Sequence, residues 1–152
     1  MVHRKLLLLG LGNPIIGDDG VGIHVVRMLK QIYQRTDMDV KEVNAGGIGL
    51  IEEMLGYETV IIIDSYATDS QPGRIREFVP DQFKNTLHMS SPHDTNFFTA
   101  LQLYKGLDPA RTPKRIRIFT IDIEPNDVFS EEMSPPVQEA SLKLAERIIS
   151  EI

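Results

Sequence analysis

Apolar runs and helical periodicities alternate along this chain, and that alternation predicts an α/β domain. Leu6 to Leu9 form an unbroken apolar run inside a first strand expected over residues 5–10. From residue 20 to about 35, Val21, Val25, Met28, Leu29 and Ile32 recur at spacings that share one helical face. A second strand is expected over 39–44, ended by Ala45, Gly46 and Gly47, and a short helix over 49–55. The third strand, 59–63, carries Val60-Ile61-Ile62-Ile63 without alternation, as a central strand covered on both faces does. Residues 73–79 read as a fourth strand. About nine residues separate it from the third, short for a parallel crossover, so it is expected to run antiparallel to the third. A helix over 94–105 with Asp94 as N-cap and a fifth strand over 115–122 come next. The last element is an amphipathic helix over 135–152, with Ser134 as N-cap and Pro135 in its first position. The expected architecture is a single domain, 1–152, of three-layer α/β/α type with a mixed, mostly parallel five-stranded sheet. No repeat or low-complexity segment interrupts it, and the least regular stretches are 85–93 and 124–133.

Charge and composition narrow the function. The net charge of −6 presents no basic face for nucleic acid or an anionic membrane. The absence of cysteine excludes disulfides and thiolate metal sites. Four leucines before Gly10 are too few for a signal segment or a membrane span, so a cytoplasmic protein is expected.

The chemistry gathers where strands end. The first strand runs into a glycine turn that delivers Asp18 and Asp19 to the mouth of a helix. Such a junction commonly cradles a phosphate on free N–H groups, and two carboxylates there would repel one. The turn is therefore suited to a cation or to acid–base work. Asp64 directly follows the apolar run of the third strand, and His93 lies in the loop Ser90-Ser91-Pro92-His93-Asp94. In an open sheet, ligands bind beyond the carboxyl ends of the strands, where all three would converge. Each residue has a plainer reading alone: a helix cap for either turn aspartate, a strand exit for Asp64, an incidental loop histidine for His93. His3 and His24 are read as incidental, and His88 stays open because it shares the loop of His93. Together, two carboxylates and an imidazole would form an oxygen/nitrogen cation site with positions left for water or substrate. That chemistry fits a metal-dependent or acid–base hydrolase, although no compact H-E-x-x-H signature is present.

The stretch Gly10-Leu11-Gly12-Asn13-Pro14-Ile15-Ile16-Gly17-Asp18-Asp19-Gly20-Val21-Gly22 closely resembles the opening motif of the hydrogenase maturation endopeptidases. Further matches follow in the same order over nearly the whole chain. They are Asn44-Ala45-Gly46-Gly47, Ile61-Ile62-Ile63-Asp64, Pro72-Gly73-Arg74-Ile75, Ser91-Pro92-His93 and Met133-Ser134-Pro135-Pro136-Val137. The resemblance implies an endopeptidase that removes a C-terminal extension from the large-subunit precursor of a [NiFe] hydrogenase after nickel has been inserted. It implies Asp19, Asp64 and His93 as nickel ligands, with the nickel supplied by the precursor and no tightly bound cofactor. Asp18 is a further candidate for the catalytic base, and Gly46 and Gly47 are a plausible precursor contact. Two features depart from the family pattern: Ser65 after Asp64, and the acidic run Asp122-Ile123-Glu124-Pro125.

Three alternatives compete. Peptidyl-tRNA hydrolases share the Gly-Leu-Gly-Asn-Pro opening but need a His-Asn pair downstream, where this chain has Asp18-Asp19-Gly20, and they want a basic surface. A dinucleotide-binding module would require glycine where Ile15 stands and an acid where Asn44 ends the second strand. A non-catalytic escort would read the metal with the same three residues and release no peptide.

Overall fold

The computed structural model describes residues 4–43, 48–68, 70–80, 97–125 and 129–152. Five strands form one sheet: β1 (Arg4–Leu11), β2 (Met38–Val43), β3 (Tyr57–Ala67), β4 (Ile75–Phe78) and β5 (Arg115–Ile123). Four helices cover it: α1 (Val21–Ile32), α2 (Ile48–Met54), α3 (Phe97–Leu107) and α4 (Pro135–Glu151). The spatial order is β2-β1-β3-β5-β4, parallel throughout except for β4, which pairs antiparallel with β5. Sheet order turns back at β1, whose chain neighbour β2 lies on one side and β3 on the other. A crevice is therefore expected at the carboxyl ends of β1 and β3.

Side-chain alternation sorts the core into two layers. Leu6 and Leu8 of β1, Ile61 and Ile63 of β3, and Phe119, Ile121 and Ile123 of β5 pack against α1 and α4. Leu7, Leu9 and Leu11, Val60 and Ile62, and Ile116 and Ile118 pack against α2 and α3. Helices on both faces leave Leu7 to Leu9 of β1 and the middle of β3 buried, which is why their runs do not alternate.

Three expectations need correction. The fourth strand does run opposite to the third, but its hydrogen-bonded neighbour is β5. The first helix ends at Ile32, whose side chain is 64% exposed, so the apolar stripe stops one turn early. Asp64 does not leave the third strand: β3 continues to Ala67, paired residue by residue with β5. The expected N-cap Asp94 lies outside the described residues.

Arg117 on β5 and Arg147 on α4 both lie against the Phe119 ring and share Glu77 and Glu151 as partners. Its hydrogen bond to Arg117, together with the charges of Arg117 and Arg147, holds the Glu77 carboxyl below the usual carboxylate range. A depressed carboxylate stabilises the fold above its unfolded-state value and loses that contribution as pH falls through the folded value. Glu77→Gln is therefore expected to cost about 1 kcal/mol at pH 7. The penalty should shrink progressively as pH falls below the ordinary carboxylate range, as paired urea titrations of the two proteins would read.

Candidate active site

The turn between β1 and α1 is built by close backbone approach. Gly12 has φ of 130°, and a Cβ there would collide with the Asp19 carbonyl oxygen. A Cβ on Gly20 would stand 2.5 Å from the Pro14 Cα. The glycines thus serve compaction of the turn, and the carboxylates ride on a short 3₁₀ turn, Gly17–Gly20. Neither aspartate caps α1, which takes Gly20 at its N-cap position with no side-chain capping bond. One oxygen of Asp19 instead accepts the Asn13 backbone N–H at 3.0 Å, which closes the turn on itself.

Asp18 faces another way. Its two oxygens accept the backbone N–H and the hydroxyl of Ser134, both at 2.7 Å. Ser134 does stand at the N-cap of α4, as expected, but its hydroxyl is spent on Asp18 rather than on its own helix. Beside this pair, Gly17 and Ile15 exchange backbone bonds with Ser130 at 2.7 and 2.8 Å. The segment before α4 is thereby zipped onto the turn after β1. Hydrogen bonds to a charged partner are worth about 1.5–3 kcal/mol. Asp18→Ala and Ser134→Ala are each expected to destabilise the protein by about that amount. In a double-mutant cycle read by urea unfolding, Ser134→Ala should add little once Asp18 is alanine, because both of its bonds to that carboxylate are already gone.

Asp64 lies within β3, fully buried, and its Oδ1 accepts the following Ser65 N–H at 2.8 Å. By alternation it shares the α2/α3 face with Val60 and Ile62. The 3₁₀ turn that carries Asp19 packs against β3. The two carboxylates thus belong to adjoining elements at the carboxyl edge, at the reversal of sheet order. The end of α3 lies at the opposite edge, since Arg111, just beyond it, accepts the Gly56 N–H at the start of β3. The beginning of α3 consequently points to the edge of the two aspartates. His93, Gly46 and Gly47 lie outside the described residues, as do His3 and His88. Among the described residues, no group of three His, Asp or Glu side chains is arranged to hold a metal.

Sequence reasoning missed a polar row on the same face. Thr120 of β5 is paired with Asp64 on one side and with Arg76 of β4 on the other. Arg76 grips the fully buried Asp122 with two nitrogens, at 3.0 and 2.8 Å, and its guanidinium lies over the Tyr66 ring. Ser70 donates a further bond to Asp122. Much of the extra acidity of the 122–125 run is thus neutralised within the fold, while Glu124 stays exposed. Glu124 lines a cleft of about 520 Å³ with Asp18, Pro72 and Ser134. Only pairing across the sheet brings Asp64, Thr120 and Arg76 into one row, and no local spacing signals it.

A sequence model of the hydrogenase maturation proteases matches residues 23–151. A Methanocaldococcus jannaschii protein provisionally named as a hydrogenase maturation protease is 29% identical over 92% of this chain and 94% of its own length. The hydrogenase expression/formation protein HoxM of Azotobacter vinelandii is 26% identical over 99% of this chain and 75% of its own. Among solved structures, the hydrogenase maturating endopeptidase HybD from Escherichia coli superposes with a TM-score of 0.73. It is 22% identical and covers 96% of this chain and 90% of its own. The [NiFe] hydrogenase maturation protease HybD from Thermococcus kodakarensis gives a TM-score of 0.69 at 26% identity, covering 96% of this chain and 97% of its own. With carboxylates gathered at the switch point of this sheet and a family match over most of its length, the chain belongs to the hydrogenase maturation proteases and is an endopeptidase.

Proposed function

We propose that this endopeptidase removes the C-terminal extension of a [NiFe] hydrogenase large-subunit precursor once nickel has been inserted. The precursor's own nickel is the recognition element, held by Asp19, Asp64 and His93. The observation that carries this reading is the fully buried Asp64 in an otherwise apolar stretch of β3, beside the turn that bears Asp19. Beside the Ser65 N–H that Asp64 accepts, a bound cation would further offset the cost of burying this carboxylate. Oxygen and imidazole donors suit a borderline divalent ion such as nickel.

Peptide hydrolysis needs a polarised carbonyl, an activated water and a proton for the leaving amine. Asp19 and Asp64 supply anionic oxygens at the reacting edge, either to orient the metal-bearing segment or to take the proton of the attacking water. Asp18, engaged by Ser134, acts in this reading by fixing the turn that carries Asp19. Gly46 and Gly47 offer a side-chain-free approach for the precursor backbone. In this reading the reaction takes place in the cytoplasm.

The test incubates this protein with nickel-loaded and nickel-free precursor from the same organism and weighs the products by mass spectrometry. Loss of a C-terminal peptide from the loaded form alone is the expected result. Equal cleavage of both forms would remove nickel from the recognition step. Binding without cleavage would replace the endopeptidase reading by that of an escort.

A further inference from the structure

Thr120 is fully buried, and its hydroxyl has no hydrogen-bond partner among the described residues. A buried hydroxyl left unpaired costs stability that a valine of the same shape would not cost. Its neighbours in the row are polar and engaged: Asp64 accepts the Ser65 N–H, and Arg76 is bound to Asp122. Thr120 thus holds an unused donor between a carboxylate and a guanidinium. Paired strands lie about 4.8 Å apart, and side chains at matched positions stand on the same face. Threonine exchanges its oxygen and methyl positions by one step of χ1. A hydroxyl turned toward β3 therefore comes within hydrogen-bonding range of the Asp64 carboxylate.

We propose that Thr120 is a positioning residue for Asp64: when precursor binds, its hydroxyl donates to the Asp64 carboxylate and fixes which oxygen faces the reacting edge. This rests on the reading of Asp64 as a member of the site. The bond would be charge-assisted. Because it orients the Asp64 oxygen that acts on the reacting atoms, its loss is felt mainly in the transition state and appears in turnover more than in affinity for the precursor. Groups that orient a ligand from behind are worth roughly 10–100-fold in activity.

The experiment compares Thr120→Val, Thr120→Ser and Asp64→Asn in steady-state processing of nickel-loaded precursor, with thermal unfolding of each. Thr120→Val is expected to lower kcat about tenfold or more with KM little changed, while its thermal midpoint stays at or above the parent's. Thr120→Ser keeps the hydroxyl and should retain most of the turnover. Normal turnover of Thr120→Val beside an inactive Asp64→Asn would overturn the role of Thr120 and leave Asp64 in the site. Equal losses in the valine and serine variants would also overturn it, because the γ-methyl rather than the hydroxyl would then matter. Normal processing by Asp64→Asn would overturn the reading of the site and the role of Thr120 with it.

Discussion

Asp64→Asn is expected to lower precursor processing by at least about 100-fold, the upper end of what loss of a mere outer-shell partner costs at a metal site. Its effect on folding should be small. Asparagine has nearly the same shape, and its amide oxygen can still accept the Ser65 N–H that Asp64 holds at 2.8 Å. What the substitution removes is the negative charge, which holding a cation or taking a proton there would require. Processing of nickel-loaded precursor, followed by mass spectrometry, reads the first effect and a thermal melt reads the second. A variant that unfolds as readily as it loses activity would make Asp64 structural. A variant that still cleaves would remove it from the site altogether.

The largest effect on stability is expected at Gly22, in the first turn of α1. A Cβ there would fall well inside the contact distance of the Ile63 carbonyl oxygen and 2.6 Å from the Leu11 carbonyl oxygen. Both obstacles are backbone of central strands, which cannot step aside as the tip of a side chain can. Opposite it, a Cβ on Gly10 would lie 2.6 Å from the Gly22 carbonyl oxygen, so helix and strand meet glycine to glycine. Gly22→Ala must push α1 off β1 and β3 and should cost at least ~3 kcal/mol. For a domain of this size that is about 6–12 °C in thermal midpoint. The same move displaces the turn that carries Asp19, so activity should fall as well. Gly106→Ala is the contrasting control. It is helical with open space where a Cβ would go, and it should gain up to ~1 kcal/mol. Melting curves of the two variants should shift in opposite directions.

Local pattern carried the elements, and long-range pairing carried what it missed. The run Val60 to Ile63 announces a buried central strand because apolar residues on both faces have no other explanation. The extension through Asp64, Ser65 and Tyr66 was hidden, since polar residues after an apolar run look like an exit to solvent. Pairing with Thr120, Ile121 and Asp122 satisfies their backbone and keeps them in the sheet. The antiparallel direction of β4 followed from its short connection to β3, but its partner β5 lies too far along the chain for spacing to reveal. Asp19 and Asp64 were legible as candidates because two carboxylates fall at the ends of strands that open on one sheet edge, although each alone has a structural use. The partner of Asp18 was not, for nothing near residue 18 points to Ser134.

That bond has a consequence for when the molecule becomes competent. Asp18 and Ser134 are separated by 116 positions. The turn bearing Asp19 is therefore fastened by a segment translated more than a hundred residues after it. A nascent chain can assemble β1, α1 and β2 from neighbouring segments, yet the loop that closes the turn must wait for the start of α4. Contacts of such separation form late and slowly. The clasp is thus absent until Ser134 has been made, and a chain truncated before residue 134 would lack what fixes the Asp19 turn.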